Sequence, residues 1–137
     1  MIIKYQEMNT KNDSISKSAL IAEDDDDLAF LVKHVLEREG FKVIYASDGR
    51  QAARCIDSML PPEIIILDLM MPYRNGFQLV EKIRSKRDWK NVPVIILTSK
   101  TQERDVVRAL DAGANDYMTK PFNPAELIAR VRRYMEK

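Results

Sequence analysis

The chain has 137 residues, of which 45% are hydrophobic and 31% charged, and this composition predicts one soluble globular domain. Its 22 Lys and Arg residues nearly balance its 21 Asp and Glu residues, so no overall electrostatic field draws it to nucleic acid or to an anionic membrane. The longest purely aliphatic runs have four residues, whereas a helix that spans a bilayer needs about 20, and we expect no membrane segment.

The N-terminal part of the chain gives no sign of export. The first eighteen residues lack the continuous apolar stretch of a secretory signal, and Cys55 is the single cysteine, which excludes a disulfide framework. Both features predict a cytoplasmic protein. Residues 8–18 are polar and aperiodic, so residues 1–17 are predicted to form a flexible arm ahead of a domain over 18–137.

Short apolar runs alternate with segments of helical period along the rest of the chain. After the first apolar run, hydrophobic residues from Leu28 through Leu31 to Leu36 recur at steps of three and four, and Gly40 follows as a stop signal for this helix. Strands are predicted at 19–22, 42–46, 63–67, 93–97 and 114–118, and later helices near 49–59, 75–85, 101–112 and 124–135.

The last two helices carry more specific expectations. The apolar stripe of the fourth helix is Val106, Val107 and Leu110. The fifth helix opens with Asn123 as N-cap, Pro124 at the first position and Glu126 at the capping-box position. Since the strands are continuous apolar runs that alternate with helices, we expect a parallel sheet covered on both faces, a three-layer α/β sandwich.

Polar side chains follow the predicted strands at their carboxyl ends, which is where open parallel sheets bind ligands. Glu23 and Asp24 follow the first strand, Asp68 the third, Thr98 the fourth and Lys120 the fifth. Three carboxylates, a hydroxyl and an ammonium group therefore converge on one edge of the predicted sheet.

Such a cluster of carboxylates indicates a divalent cation. Three carboxylates repel one another unless a cation of high charge density lies among them, and oxygen ligands without Cys or His favour Mg²⁺. The cation could bridge an aspartate to a phosphoryl group whose other oxygens contact Lys120 and Thr98. Asp68 is the best candidate nucleophile, because it ends the most apolar strand and carboxylates are known to form aspartyl phosphates.

The chain from about residue 18 to 136 resembles the receiver domain of bacterial two-component response regulators. The resemblance rests on four motifs in the family's order, each at its own strand end: Glu23-Asp24, LDLMMP at 67–72 followed by Gly76, LTSK at 97–100 and DYMTKPF at 116–122. It implies a flavodoxin-like, doubly wound fold, with five parallel strands in the order 2-1-3-4-5 and five helices in three α/β/α layers.

The resemblance also implies roles for individual residues. Asp68 would accept a phosphoryl group from the phosphohistidine of a sensor histidine kinase or phosphotransfer protein, in a phosphoacceptor switch with self-catalysed phosphorylation and dephosphorylation rather than an enzyme. The metal residues would be Asp24, which binds Mg²⁺ directly, Glu23, which acts largely through water, Asp68, and the backbone carbonyl of Met70. Lys120 would pair with Asp68 or its phosphate, ahead of a Lys120–Pro121 peptide that is cis in many receivers.

Thr98 and Tyr117 would be the switch residues of such a receiver. They would change a face formed by the fourth helix, fifth strand and fifth helix, which is predicted to bind a downstream protein or a second copy. No direct contact with nucleic acid or membrane is expected of this chain. Two departures from the family pattern are the Glu23-Asp24 pair, where Asp-Asp is commoner, and Ser99, where alanine is frequent.

Other functions compete with this interpretation. A phosphorylation-independent scaffold with the same fold is disfavoured because all the phosphorylation residues are present. An aspartyl-phosphate phosphatase of the haloacid-dehalogenase type needs a second Asp two residues after the nucleophile, where this chain has Met70. In a flavodoxin-like FMN carrier the loop after the first strand must accept a phosphate, which the acidic residues 23–27 would repel.

Overall fold

The computed structural model describes residues 17–136, and it confirms the predicted alternation of strands and helices. The strands are β1 (Lys17–Ala22), β2 (Phe41–Ala46), β3 (Ile64–Leu67), β4 (Val94–Thr98) and β5 (Asp116–Thr119). The helices are α1 (Asp26–Arg38), α2 (Gly49–Ser58), α3 (Gly76–Ser85), α4 (Glu103–Ala112) and α5 (Pro124–Met135). Between residues 17 and 136, no helix combines the length and apolar character needed to cross a membrane.

The five strands form one parallel sheet in the order β2-β1-β3-β4-β5, as predicted. Alternate residues of each strand face opposite sides, so Leu20 and Ala22 pack with α2, α3 and α4, whereas Ala19 and Ile21 pack with α1 and α5. These two cores make the three layers. β3 lies in the middle of the sheet with all four residues buried, which places the residue that follows it, Asp68, at the centre of the carboxyl edge.

The starts of β1 and β5 each differ by two residues from the predicted ones. β1 begins at Lys17, inside the predicted arm, because Lys17 pairs with Phe41 of β2; the remainder of the arm lies outside the described residues. β5 begins at Asp116 rather than at 114, since Gly113 ends α4 with a φ of 119° and the chain needs two more residues to turn back into the sheet.

The predicted apolar stripe of α4 is wrong at two of its three positions, since Val106 is half-buried but Val107 and Leu110 are exposed. Val107 and Leu110 are 47% and 44% exposed, and the residues of α4 that pack inward are Asp105 and Ala109. The helix therefore rests on the sheet through small and short side chains and presents branched apolar ones outward. Leu31 of α1 is likewise 40% exposed.

The N-terminus of α5 also departs from expectation. The Asn123 side chain does cap the helix, but it accepts from the main-chain N–H of Ala125, so no capping box forms. The Glu126 carboxylate instead accepts hydrogen bonds from Arg130, one turn further along the helix. The positive charge of Arg130, four residues along the same helix face, therefore binds the Glu126 carboxylate in place of the main-chain N–H of Asn123.

One arginine fastens the edge of the sheet opposite the acidic cluster. The Arg84 guanidinium, at the end of α3, donates to the carbonyl oxygens of Gly113 (2.9 Å), Lys90 (3.0 Å) and Val92 (2.8 Å) and to Asn115 Oδ1 (2.7 Å). It thereby joins the C-terminal end of α3, the loop before β4 and the loop before β5.

Candidate functional site

The structure brings the predicted carboxylates together at the carboxyl edge of the sheet. Glu23 and Asp24 follow β1, and the main-chain N–H of Asp68 donates to the carbonyl of Ala22, which joins the ends of β1 and β3 (3.0 Å). One carboxylate oxygen from each of the three acidic residues lies within 4.8 Å of the others. Glu23 and Asp68 are buried and Asp24 is exposed, so the cluster opens to solvent on the Asp24 side.

Lys120 lies between the two buried carboxylates. Its Nζ atom is 2.8 Å from Glu23 Oε1 and 3.2 Å from Asp68 Oδ2, so it is closer to Glu23 than to its predicted partner Asp68. Burial lowers the pKa of Lys120, but the hydrogen bond to Glu23 and the charge of Asp68 outweigh it, and the net shift is upward. Burial raises the pKa of Glu23 despite hydrogen bonds from Lys120 and the Asp25 N–H.

The donor set fits a hard divalent cation such as Mg²⁺. All three side chains offer oxygen ligands, and three carboxylates with one ammonium leave the cluster with two uncompensated negative charges. The main-chain N–H of Met70 donates to Asp68 Oδ1 (3.3 Å), which places the backbone nitrogen of Met70, the residue of the fourth predicted ligand, beside the cluster.

Close packing sets the path of the loop that carries Met70, residues 68–75. A Cβ on Gly76 would lie 2.7 Å from the carbonyl oxygen of Asp68, and one on Gly49 would collide with the main chain of Arg74. The Gly49 N–H also donates to a carbonyl of this loop, that of Pro72 (3.1 Å). Only glycine therefore allows α2 and α3 to approach the loop so closely.

Thr98 and Tyr117 are linked through a residue that the sequence did not assign to the switch. The buried Thr98 hydroxyl accepts from the main-chain N–H of Lys100 (3.4 Å), and the Tyr117 hydroxyl donates to the Lys100 carbonyl (2.8 Å). Burial raises the pKa of Tyr117, and the nearby charges of Asp105 and Asp68 raise it further. The half-buried Tyr117 ring is thus already tied to the β4–α4 loop.

Two further features of the site concern its lysines. The Lys100 ammonium lies 3.8 Å from the buried carboxylate of Asp105, so it is held toward α4. The Lys120–Pro121 peptide is cis, as the resemblance implied.

Sequence reasoning also missed Tyr45 of β2, whose hydroxyl contacts the acidic loop formed by residues 23–27. An exposed tyrosine in an edge strand gives no signal of such a contact in the sequence.

Comparison with known proteins agrees with this geometry. The response regulator receiver domain family matches residues 19–132. The transcriptional regulatory protein CpxR of Escherichia coli (strain K12) is 42% identical over 118 residues, which are 86% of this chain and 49% of CpxR. The alkaline phosphatase synthesis transcriptional regulatory protein PhoP of Bacillus subtilis (strain 168) is 37% identical over 123 residues, 90% of this chain and 50% of PhoP.

Solved receiver domains have the same fold. The receiver domain of the Francisella response regulator 1452 matches with a TM-score of 0.78 and 35% identity, covering 86% of this chain and 95% of that one. The BeF3-activated DrrB receiver domain matches with a TM-score of 0.81 and 30% identity, covering 89% and 99%.

The chain therefore belongs to the response regulator receiver domain family, the signal-transducing module of two-component systems. It spans about half the length of the curated relatives that it matches. The phosphatase and scaffold alternatives are not favoured by these comparisons.

Proposed function

We propose that Asp68 is the phosphoacceptor of this receiver, and that it takes its phosphoryl group from a phosphohistidine of a sensor kinase or phosphotransfer protein. The observation that carries this proposal is the placement of Asp68 between Lys120 and the open, acidic Asp24 side of the cluster. An Asp68 oxygen forms a bond to phosphorus while the phosphorus–nitrogen bond of the donor breaks, and the electron pair returns to the imidazole.

Glu23, Asp24, Asp68 and the main-chain carbonyl of Met70 would hold the Mg²⁺ ion that the reaction needs. The ion supplies positive charge that offsets the carboxylates and the phosphoryl oxygens. Lys120 keeps its proton because Glu23 and Asp68 face it, and it stays available to pair with a phosphoryl oxygen. The Thr98 hydroxyl, at the end of β4, would donate a hydrogen bond to another phosphoryl oxygen.

Thr98 and Tyr117 would pass the change to the partner-binding face. When the Thr98 hydroxyl turns to a phosphoryl oxygen, the Lys100 N–H loses its acceptor, and the β4–α4 loop that Tyr117 holds must readjust. The face formed by α4, β5 and α5 would respond, because α4 directly follows that loop. Val107 and Leu110 of α4 are exposed. We propose that this face binds a downstream protein or a second copy of the chain.

Incubation with acetyl phosphate and Mg²⁺, followed by intact mass spectrometry, tests the proposal without any kinase and so tests self-catalysis as well. We expect a labile phosphoryl adduct on the wild-type chain and none on Asp68→Asn. The matched control is Asp57→Asn, which alters an exposed aspartate paired with Lys82 and should leave the adduct intact. An adduct that persists in Asp68→Asn, or none on the wild type with several phosphodonors, would show that Asp68 is not the acceptor.

The assignment of Asp24 to the metal is tested separately. We expect the unphosphorylated wild type to bind Mg²⁺ in the millimolar range, about 4 kcal/mol, and Asp24→Asn to abolish that binding. Unchanged affinity in Asp24→Asn, measured by NMR titration, would place the ion elsewhere.

A further inference from the structure

The loop that carries the proposed metal ligands is held by the edge strand β2. Residues 23–27 are five consecutive acidic residues, so charge repulsion within this loop opposes any single fixed arrangement. The main-chain N–H of Glu23 donates to the carbonyl of Ala46 (3.1 Å), and the carbonyl of Glu23 accepts from the Tyr45 hydroxyl (3.0 Å). Two consecutive residues of β2 therefore fix both polar groups of the Glu23 backbone.

The same hydroxyl contacts a second acidic residue of the loop. Tyr45 Oη lies 2.9 Å from Asp26 Oδ1, so its proton is shared between the Glu23 carbonyl and the Asp26 carboxylate. This bond fixes the first residue of α1 immediately after the proposed ligand Asp24 and the N-cap Asp25.

Asp25, the residue after the proposed ligand Asp24, is held by three hydrogen bonds within the loop and the start of α1. The Asp25 N–H donates to Glu23 Oε2 (3.1 Å), and the Asp25 carboxylate accepts from the N–H groups of Asp27 (3.0 Å) and Leu28 (3.2 Å) as the cap of α1. Asp24 is thus the residue between two anchored neighbours, Glu23 and Asp25. Its direction depends on how firmly the Glu23 carbonyl and Asp26 are held.

We propose that Tyr45 is a positioning residue for the metal site. By donating to the Glu23 carbonyl and to Asp26, its hydroxyl holds the loop so that Asp24 faces Asp68, and it directs the Asp26 charge toward β2 instead of the ion. This inference rests on the proposed function, because the site that it positions is the proposed Mg²⁺ site. Tyr45 itself is not a ligand.

Tyr45→Phe keeps the ring and removes only the hydroxyl. The matched control is Tyr134→Phe, because the Tyr134 hydroxyl also contacts a main-chain carbonyl, that of Asn115 (3.0 Å), and a carboxylate, that of Asp116 (3.3 Å), outside the acidic loop. Each chain is titrated with Mg²⁺ by ¹H–¹⁵N NMR, and amide hydrogen exchange and urea unfolding are measured without metal.

We expect Tyr45→Phe to raise the Kd for Mg²⁺ about five-fold, which is the effect of one net hydrogen bond, and to speed amide exchange across residues 24–28 in the metal-free chain. Tyr134→Phe should change neither, although both variants lose a similar part of their unfolding free energy. Asp26→Asn keeps an acceptor for the Tyr45 hydroxyl, so exchange across the loop should stay slow in that variant.

The outcomes separate this inference from the proposed function. If Tyr45→Phe binds Mg²⁺ as tightly as the wild type, or if Tyr134→Phe weakens binding equally, Tyr45 has no positioning role, while the metal site stands. If the wild type itself shows no Mg²⁺ binding that depends on Asp24, the proposed metal site is wrong and the inference fails with it.

Discussion

Among the residues that the structure describes, Lys120 is the only cation that contacts both buried carboxylates of the acidic cluster, and replacing it by methionine removes that charge. At an effective dielectric constant of about 20, the Lys120 charge interacts with that of Glu23 at 2.8 Å by about 6 kcal/mol and with that of Asp68 at 3.2 Å by about 5 kcal/mol. The cost of burying the ammonium offsets most of this attraction. We therefore expect Lys120→Met to lower the free energy of unfolding by about 3 kcal/mol at pH 7, as for other buried ion pairs that lose one partner.

The loss of unfolding free energy in Lys120→Met, called the deficit below, should depend on pH and on Mg²⁺. Burial already raises the folded-state pKa of Glu23 above 4.5, and loss of the Lys120 hydrogen bond raises it further. A raised carboxyl pKa favours the folded state as pH falls through it, so the deficit is largest at pH 7 and shrinks as Glu23 takes up a proton. Mg²⁺ at ten times the Kd of Lys120→Met should stabilise that variant by about 1.4 kcal/mol. The difference from the wild type then shrinks, because the cluster without its ammonium is more negative and binds the ion more tightly than the wild type does.

Urea unfolding of both chains between pH 5 and 8, in EDTA and in Mg²⁺, measures these effects. Lys33→Met is the matched control, since Lys33 makes an exposed pair with Glu37 (3.7 Å) and should change stability by less than about 0.5 kcal/mol. If Lys120→Met is as stable as the wild type in EDTA at pH 7, or if its deficit grows on acidification, the ammonium does not stabilise the cluster and the electrostatic reasoning fails.

Three further predictions concern the loops around the site. The double variant Met70→Asn with Lys100→Glu should shorten the lifetime of the phosphorylated protein, because neither wild-type side chain orients an attacking water. The lifetime should fall about tenfold for each 1.4 kcal/mol removed from the barrier to hydrolysis. Equal decay of the phosphoryl adduct in the double variant and the wild type, followed by mass spectrometry, would contradict this. Gly49→Ala should cost about 2 kcal/mol or more in urea unfolding, since its Cβ meets the Arg74 main chain, and an unchanged midpoint would refute the packing argument. Asp25→Ala should lower the free energy of unfolding by about 1 kcal/mol, because α1 loses its N-cap. A thermal unfolding midpoint equal to that of the wild type would disprove this.

The sequence predicted the sheet and the convergence of its polar strand ends because both depend on local patterns. The run Ile64–Leu67 is buried on both faces, as its composition indicates, and the residue after it can only lie at the carboxyl edge. Strand–helix alternation then brings Glu23, Asp68 and Lys120 to the same edge, although they are far apart in the chain.

The errors arise where tertiary contacts override the local pattern. In α4, periodicity cannot tell whether an apolar residue faces the sheet or the solvent, and the structure turns Val107 and Leu110 outward. The contacts of Lys100 and Tyr45 are long-range hydrogen bonds between a side chain and a main-chain group, which leave no periodic trace. Side-chain contacts beyond the strand ends therefore become visible only in the three-dimensional structure.

The anchoring of α4 differs at its two ends. At the C-terminal end, the carbonyl of Gly113 accepts from Arg84, and the Gly113 N–H closes the last turn. At the N-terminal end, Gln102 makes no side-chain cap, and only Asp105 and Ala109 are buried along the helix. A rotation of α4 by about 10° about Gly113 would therefore move the start of this roughly 15 Å helix by about 3 Å and leave its C-terminal end in place.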